Sequence, residues 1–405
     1  MKPEEFVEAR QQPAQGTWTP SGPPVRAPRS PRRRSLRTLV VAGVVGAGIA
    51  VGVTVALSTH GDSPGTRPAP DLGSLDVVAR PDQSPPRERI AAGKVAVSAY
   101  STSKVVKQPG GNGVLALEWH LLNSSSNRYE RTDWAYLDVA RGLKTAAVLE
   151  RGLPVNRVGL LDLASGKVQR WIKVDRSVGG VQFSPDGKRL VATAYSLNPD
   201  GLFKDAPQQV NGEKLPGPKP SRTGFYVIDV ATGRAEFTSS PSKKDERGFI
   251  DGGRQDFRWS RDGKLLWTPW RNESGKLYVD TDGRETQAPK HEARPGQAEA
   301  GLSPDGRRVA GTMPDDEEGI VSEVLDTKTG ERAALVPGQQ LLAWADDRHL
   351  VAWRCDPAQC APGKGEFRNQ LVLVGLDSDT VTPLSGFREP SLRYDGRWTP
   401  VLTER

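Results

Sequence analysis

The sequence contains few residues of the kinds that bind metals or act as nucleophiles. It has two cysteines and four histidines, His60, His120, His291 and His349. No two histidines have the spacing of metal ligands, and two cysteines alone make a poor zinc site, which normally takes four ligands. The sequence has no Gly-x-Ser-x-Gly elbow, His-Glu-x-x-His motif or phosphate-binding Gly-rich loop. It therefore predicts no metal, no cofactor and no catalytic residue.

Two further features are missing beyond residue 90. No apolar stripe of helical period continues for more than two helical turns. The whole chain contains 43 glycines and 33 prolines, which favour many tight turns between short elements. Charge of one sign is also scarce there, because residues 1–37 alone hold eight basic and three acidic residues of a chain with net charge +7. A basic stripe for a phosphate backbone is not expected, and nucleic acid is not a predicted partner.

One long apolar run is present. Residues 38–57 form an uncharged segment of 20 residues, preceded by a cluster of arginines. At 1.5 Å per residue it spans roughly 30 Å, the thickness of the hydrocarbon core of a bilayer. The arginines place the N-terminus in the cytoplasm and the rest of the chain outside. A cleaved secretory signal is the alternative, but the preceding 37 residues are long for one.

The chain then divides by composition. Residues 1–37 are polar and rich in Pro and Arg, and are predicted to be a disordered basic cytoplasmic tail. Residues 38–57 are the predicted transmembrane helix, and residues 58–90, with six prolines, are a predicted linker that holds the next domain away from the membrane. Residues 91–405 are the predicted extracytoplasmic domain.

Two short patterns recur in that domain. The first reads FSPDGKRL (183–190), WSRDGKLL (259–266) and LSPDGRRV (302–309); LRYDGRWT (392–399) fits the same frame, and 135–148 is a degenerate copy. The second reads LDLASGKV (161–168), IDVATGRA (228–235) and LDTKTGER (325–332). Asp-Gly supplies the positive φ that tight hairpin turns require. Each pattern therefore predicts a β-hairpin, and the repeated Asp residues are turn residues rather than catalytic acids.

Two hairpins give four strands per repeat, with neighbouring repeats about 40–50 residues apart. This period predicts an all-β protein of the β-propeller type. Five complete blades can be counted, and the segments at the two ends of the domain are expected to pair and complete a sixth. Such closure would remove exposed sheet edges. Six four-stranded blades are predicted, with seven as the alternative.

The sequence Ser-Pro-Asp-Gly-Lys-Arg-Leu followed by Ile-Asp-Val-Ala-Thr-Gly resembles the repeats of TolB-type, WD-repeat-like propellers of the bacterial envelope. The resemblance covers about residues 115–405. It implies a propeller that binds proteins, peptides or small ligands, and it names no ligand. The Trp-Asp and Gly-His pairs of eukaryotic WD repeats are missing, so no role from that branch is implied.

The binding surface is expected on one rim of the propeller. The Asp-Gly turns lie on the opposite rim, whereas the second-to-third connections are irregular, the longest being 196–224 and another carrying the acidic run Asp315–Glu318. The strand ends that lead to this rim carry Tyr195, Trp270, Arg271, Trp353 and Arg354, residue types that anchor binding surfaces. The alternative for these aromatics is packing between blades.

Cys355 and Cys360 lie in CDPAQC, a spacing that suits a loop-closing disulfide in an oxidising compartment. The sequence as a whole predicts a single-pass, membrane-anchored propeller that acts as a non-catalytic scaffold for an envelope protein or a small ligand. The alternative is a propeller-type hydrolase or lactonase with its site at the central channel.

Overall fold

The computed structural model describes residues 75–210, 213–243, 253–270, 275–292, 299–314, 320–356, 358–360, 368–377, 381–389 and 397–405. The predicted tail, the predicted transmembrane segment 38–57, Arg271 and the acidic run 315–318 lie outside these ranges. Within the ranges, no helix has the length and apolar character needed to cross a bilayer.

The described chain is all-β, as the repeats predict. Its strands are β1 (Val77–Val78), β2 (Ala91–Ala92), β3 (Val95–Lys107), β4 (Gly113–Asn123), β5 (Arg128–Arg131), β6 (Tyr136–Val139), β7 (Thr145–Leu149), β8 (Val155–Asp162), β9 (Lys167–Phe183), β10 (Arg189–Tyr195), β11 (Gly201–Val210), β12 (Glu213–Gly217), β13 (Arg222–Asp229), β14 (Ala235–Ser239), β15 (Arg258–Trp259), β16 (Leu266–Pro269), β17 (Lys276–Val279), β18 (Glu285–Thr286), β19 (Arg308–Ala310), β20 (Ser322–Asp326), β21 (Arg332–Val336), β22 (Gln340–Trp344), β23 (His349–Cys355), β24 (Asn369–Gly375), β25 (Val381–Phe387) and β26 (Thr399–Glu404).

The strands pair in antiparallel ladders that form five sheets. Apart from β1, β2, β11 and β12, the strands fall into six groups. Group 1 is β26, β3, β4 and β5; group 2 is β6, β7, β8 and the first half of β9; group 3 is the second half of β9, β10, β13 and β14. Group 4 is β15–β18, group 5 is β19–β21, and group 6 is β22–β25. Groups 2 and 3 form one sheet because the 17 residues of β9 pair first with β8 and then with β10.

The predicted Asp-Gly hairpin turns are confirmed, and all three share one hydrogen-bond pattern. In the first, Ser184 Oγ donates to Asp186 Oδ1 (2.6 Å), Arg189 N donates to Ser184 Oγ (2.9 Å), and Gly187 has φ 71°. The same bonds recur around Ser260 and Ser303, with φ 67° at Gly263 and 71° at Gly306. The carboxylates satisfy turn donors, which accounts for their repetition.

Buried apolar side chains fill the space between consecutive groups. Each of four interfaces has one buried apolar cluster with members from both groups: Trp119 and Leu137 (groups 1 and 2), Leu160 and Val181 (2 and 3), Val324 and Leu350 (5 and 6), and Leu371 and Val97 (6 and 1). Between groups 3 and 4 the rings of Phe225 and Phe257 are in contact, with centroids 4.7 Å apart. Between groups 4 and 5, the guanidinium of Arg261 donates to the carbonyl of Ala300. Each group therefore packs on the next along the chain, and the last packs on the first.

The two ends of the described chain meet in group 1. The C-terminal strand β26 pairs with β3, from Thr399 opposite Ser101 to Glu404 opposite Val95. Ser98 Oγ and Thr403 Oγ1 lie 2.7 Å apart across this pair and share a hydrogen bond. The predicted pairing of the terminal segments is observed in β26, whereas the Asp-Gly turn of the copy at 392–399 lies outside the described residues.

Residues 75–92, here called the strap, lie on the sheets. Arg80 N donates to Leu384 O and Gly386 N to Gln83 O, both at 2.8 Å, beside β25 of group 6. Tyr129 N donates to Arg87 O (3.0 Å) at β5 of group 1. The apolar side chains at 75, 77 and 79 pack on the core between these two groups. The packed unit therefore begins before residue 91. The segment is rich in proline, but its apolar side chains are partly buried against the sheets.

Candidate functional site

Two hairpins from different groups pair with each other. The β3–β4 hairpin of group 1 and the β11–β12 hairpin, which forms within the long connection 196–221 of group 3, pair through Gly201 with Val114 and Leu202 with Gly113. Leu115 N donates to Asp200 O (2.9 Å) beside this pair. Residues 103–115 and 200–219 are here called the raised sheet. Both hairpins connect the second and third strands of a group, the type of connection that the sequence predicts to be elaborated.

A buried guanidinium fixes the base of the raised sheet. Arg254, in the segment leading into group 4, donates from Nε to Asp200 Oδ1 (2.9 Å) and from Nη2 to Asp200 Oδ2 (2.5 Å). Its Nη1 donates to Gly179 O (2.6 Å) and to Asp256 Oδ2 (3.0 Å). The exposed fractions of the Arg254, Asp200 and Asp256 side chains are 18%, 9% and 10%. Bidentate pairing of this kind is strong and directional.

The electrostatics of this cluster, here called the Arg254 clamp, are self-compensating. Burial lowers the pKa of Arg254, but the carboxylates of Asp200 and Asp256 outweigh it and raise that pKa well above its ordinary value. The guanidinium also lies over the ring of Tyr136, 4.4 Å from the centroid. Gly180 permits the close approach of Asp256, since a Cβ there would lie 2.2 Å from Asp256 Oδ1.

Tyr195, predicted as a binding residue, is a buried member of the same cluster. Its side chain is 2% exposed, its hydroxyl donates to Asp256 Oδ1 (2.8 Å), and it accepts from Gln255 N (2.9 Å). Burial, followed by the charge of Asp256, raises the pKa of Tyr195 well above its ordinary value. The phenol stays neutral, and its contacts attach the first end of the insertion to the segment before group 4.

Arg222 attaches the other end of the insertion to the same segment. Its Nη1 donates to Thr268 Oγ1 (2.7 Å) and Gln255 O (3.2 Å), and its Nε donates to Ser240 O (3.1 Å). The guanidinium lies 4.6 Å from the centroid of the Phe257 ring, and burial lowers the pKa of Arg222 to about 10. Both ends of the insertion therefore rest on residues 254–257.

The other predicted site residues lie elsewhere. Trp353 is 3% exposed between groups 6 and 1, in edge contact with Trp398 at 5.2 Å and beneath Arg388 at 3.8 Å. Arg354 pairs with Asp356 (3.0 Å), beside the predicted disulfide Cys355–Cys360, which is present. Trp270 is half-buried, and its N donates to Gly275 O (2.9 Å). The structure thus places Tyr195 between groups 3 and 4, apart from Trp353.

The outer surface of the raised sheet is basic and partly apolar. The raised sheet has five lysines and three acids, one of which is the buried Asp200, and the exposed side chains include Lys104, Lys107, Lys204 and Lys214. Val106 is 41% exposed. Lys219 pairs with Asp205 (2.5 Å) and lies over the Phe203 ring. Sequence reasoning named none of these lysines, because their spacing along the chain is irregular and only the pairing of β4 with β11 brings them together.

Side-chain acceptors connect the first strands of three groups. Asp138 Oδ2 on β6 accepts from Phe183 N on β9 (2.7 Å), and Gln182 Oε1 on β9 accepts from Trp259 N on β15 (2.9 Å). Burial raises the pKa of Asp138 to about 6, against the opposing effects of the Phe183 and Val139 amides and of Arg258. In the described part of the chain, no group of three or more His, Cys, Asp or Glu side chains is arranged to hold a metal ion.

Comparison with known proteins shows that the chain is similar to several solved structures. No family model and no curated protein matches the chain. It is similar to TolB from Acinetobacter baumannii, with 16% identity, 74% of this chain and 67% of TolB covered, and a TM-score of 0.36. It is also similar to hydrazine synthase from Kuenenia stuttgartiensis, with 12% identity, 67% of this chain and 76% of that chain covered, and a TM-score of 0.32. These values are too low to assign the chain to a family or an activity.

Proposed function

We propose that the protein is a single-pass, membrane-anchored scaffold whose extracytoplasmic domain is a six-bladed β-propeller. Residues 38–57 anchor it, the N-terminal tail is cytoplasmic, and an envelope protein or other ligand binds the raised sheet. The six strand groups, the packing of the last on the first and the pairing of β26 with β3 support the propeller. The length of segment 38–57 and the arginines before it support the anchor.

The observation that carries the binding function is the raised sheet itself. Two hairpins that belong to different groups are joined into one surface, and that surface is fixed at both ends of the insertion by buried arginines. A surface held by rigid elements loses little conformational entropy when a partner binds. Irregular connections on a repeated framework are also where binding residues concentrate.

The buried charges support a structural rather than a catalytic role. Asp200 and Asp256 both accept hydrogen bonds from Arg254, and Asp256 also accepts from Tyr195. A hydrolase or lactonase site at the central channel needs acids or histidines that converge on a substrate. The acids of the Arg254 clamp are instead bound to internal donors, whereas the lysines of the raised sheet are exposed to a partner.

The experiment that tests the function is photo-crosslinked capture from intact cells with the full chain. The double variant Lys204→Glu, Lys214→Glu reverses charge on the raised sheet. The matched control Lys264→Glu, Lys328→Glu reverses two exposed lysines in hairpin turns on the opposite rim. We expect the wild-type chain and the control to capture the same envelope partner and the first variant to lose it. Equal capture by both variants would contradict the assignment of the surface.

Orientation is tested separately by protease treatment of intact cells. The proposal requires cleavage within the exposed turns of the domain while an epitope in residues 1–37 stays protected. Protection of the whole chain, or its recovery in the soluble cytosolic fraction, contradicts the anchor. Partner capture in that case would support a scaffold that is not attached to the membrane.

A further inference from the structure

A groove lies between groups 1 and 2, away from the raised sheet. It encloses about 840 Å³ and is lined by residues 130–134, the end of β4, Glu150–Arg151 and Leu161. A volume of this size accommodates a short peptide or a ligand of similar bulk. Trp134 contributes a half-buried aromatic side chain, whereas Leu121 and Leu161 lie beneath the groove and are only 7% and 4% exposed.

One wall of the groove is a strand with a partly open edge. Thr132 N donates to Trp119 O on β4, whereas Tyr129 N donates away from β4, to Arg87 O of the strap. Alternate N–H groups of an antiparallel strand point to opposite sides, so the N–H of Arg131 has the direction of Tyr129 and faces away from β4. No acceptor for it occurs among the described residues. The strap thus occupies the beginning of this edge, and the edge beside the groove is unpaired.

The polar groups at this edge are also incompletely matched. The hydroxyl of Thr132 is buried and has no hydrogen-bond partner in the described part of the chain. Glu130 accepts only from the neutral amide of Asn123 (2.8 Å), and Asp133 makes no ion pair with any described residue. Arg131 pairs with Glu118 (3.2 Å) and Arg157 neutralises Glu150. Glu130 and Asp133 therefore make no ion pair with a described cation. Arg151 also lines the groove, where it donates to Leu117 O (3.4 Å).

We propose that β5 and this groove bind an extended segment of a partner protein that carries aliphatic and basic side chains. The segment adds as a strand to the open edge of β5, where Arg131 N–H donates to its backbone. Its aliphatic side chains contact the half-buried ring of Trp134, and its basic side chains pair with Glu130 and Asp133. The strap, which already pairs with the first part of β5, shows that this edge accepts an added strand.

The proposal is tested with a defined probe, the fluorescein-labelled peptide (Val-Lys)₃-amide, titrated against the full chain by fluorescence anisotropy. Arg131→Pro removes the outward N–H, a change that an edge strand tolerates. Arg131→Ala is its matched control, because both variants lose the Glu118 pair. Asp133→Lys reverses the groove charge, and Asp282→Lys does the same at a remote exposed turn.

We expect saturable binding that Arg131→Pro and Asp133→Lys each weaken by about tenfold or more, while Arg131→Ala and Asp282→Lys change it little. The acidic analogue (Val-Glu)₃-amide is expected not to bind. The peptide should also slow hydrogen exchange of the Arg131 amide in the wild-type chain. This measurement needs no variant, so a folding defect caused by a substitution cannot affect it.

Three results would overturn the proposal. They are no saturable binding up to about 1 mM peptide, equal affinity of Arg131→Pro and Arg131→Ala, and unchanged exchange of the Arg131 amide. An effect of Asp133→Lys alone would mean electrostatic adsorption without strand addition.

Discussion

Arg254 holds Asp200 by two nearly parallel hydrogen bonds, of 2.9 Å from Nε and 2.5 Å from Nη2, although 54 residues separate them in the chain. The pair joins the base of the β11–β12 insertion to the segment that leads into group 4. Because both side chains are largely buried, the loss of Arg254 leaves a buried carboxylate at Asp200 without its cation. The position of the raised sheet therefore depends on a contact outside the sheet itself.

Replacement of Arg254 by Ala is expected to lower the free energy of unfolding by about 3–5 kcal/mol, because Asp200 and Asp256 then remain buried without a cation. Arg254→Lys should recover only part of this loss, since an ammonium cannot donate in a bidentate fork. Urea unfolding followed by tryptophan fluorescence measures both. The control is Arg348→Ala, which breaks an exposed pair with Asp377 and should cost about 0–1 kcal/mol. Similar costs at the two sites would contradict the structural role of the clamp.

Asp138→Asn is expected to change how stability depends on pH. The folded-state pKa of Asp138 is raised to about 6 from 3.8, so the folded chain holds this proton between about pH 4 and 6 and the unfolded chain does not. The contribution of Asp138 to stability therefore falls as pH rises through this window. Asparagine keeps one acceptor oxygen for Phe183 N and does not ionise.

The variant should accordingly gain stability relative to the wild-type chain by about 1–3 kcal/mol between pH 4 and pH 7. Thermal unfolding at a series of pH values measures the difference. Asp186→Asn is a control with the opposite sign, because hydrogen bonds from Ser184 and the Lys188 amide lower the pKa of Asp186. That control should lose stability relative to the wild-type chain as pH rises through the unfolded-state pKa. A pH-independent difference for Asp138→Asn would show that its carboxyl is not perturbed in the folded chain.

Loss of the Cys355–Cys360 disulfide is expected to cost about 2 kcal/mol, the small value typical of a short closed loop. The double variant Cys355→Ser, Cys360→Ser and the reduced wild-type chain should unfold at the same urea concentration, below that of the oxidised chain. Reductant should have no effect on the double variant. Equal stability of the oxidised and reduced chains would mean that the bond does not constrain the unfolded state.

Removal of residues 399–405 is expected to leave β3 as an unpaired edge and to cause self-association. Size-exclusion chromatography and light scattering measure this directly. A synthetic peptide of residues 399–405 added during refolding should restore a monomer, since the truncated chain keeps Trp398, which donates to Ser84 Oγ (3.1 Å) of the strap, and lacks only the strand that pairs with β3. A truncated chain that stays monomeric without the peptide would show that the strap alone protects the edge.

The repeated hairpins were predictable because their turn chemistry is local. Ser184, Asp186 and Gly187 form a complete turn within the first pattern, and their counterparts follow the same rule. The side on which the irregular connections lie was also predictable, since the order of strands within a repeat determines it. The continuity of β9 was not predictable. The repeats place a boundary between groups 2 and 3, whereas β9 runs across that boundary and pairs first with β8 and then with β10.

Which residues make up the candidate site could be learned only from the structure. Asp200, Arg254 and Asp256 belong to neither repeated pattern and to no known motif. Only the folding of groups 3 and 4 brings them together. Tyr195 was selected from its place at a strand end, but a residue at that place can point to solvent or into the space between groups, and Asp256 holds it in the latter. The position of the lysines of the raised sheet likewise follows from the pairing of Gly201 with Val114.

The strap has a mechanical consequence. Its hydrogen bonds reach β25 on one side and β5 on the other, so it crosses the seam where the last group meets the first. At the same seam, Arg405 holds Asp76 through an ion pair of 2.9 Å. A pull on the chain before residue 75 is therefore applied first at this seam, and the bonds that would bear the load are the same ones that keep the two ends of the sheets together.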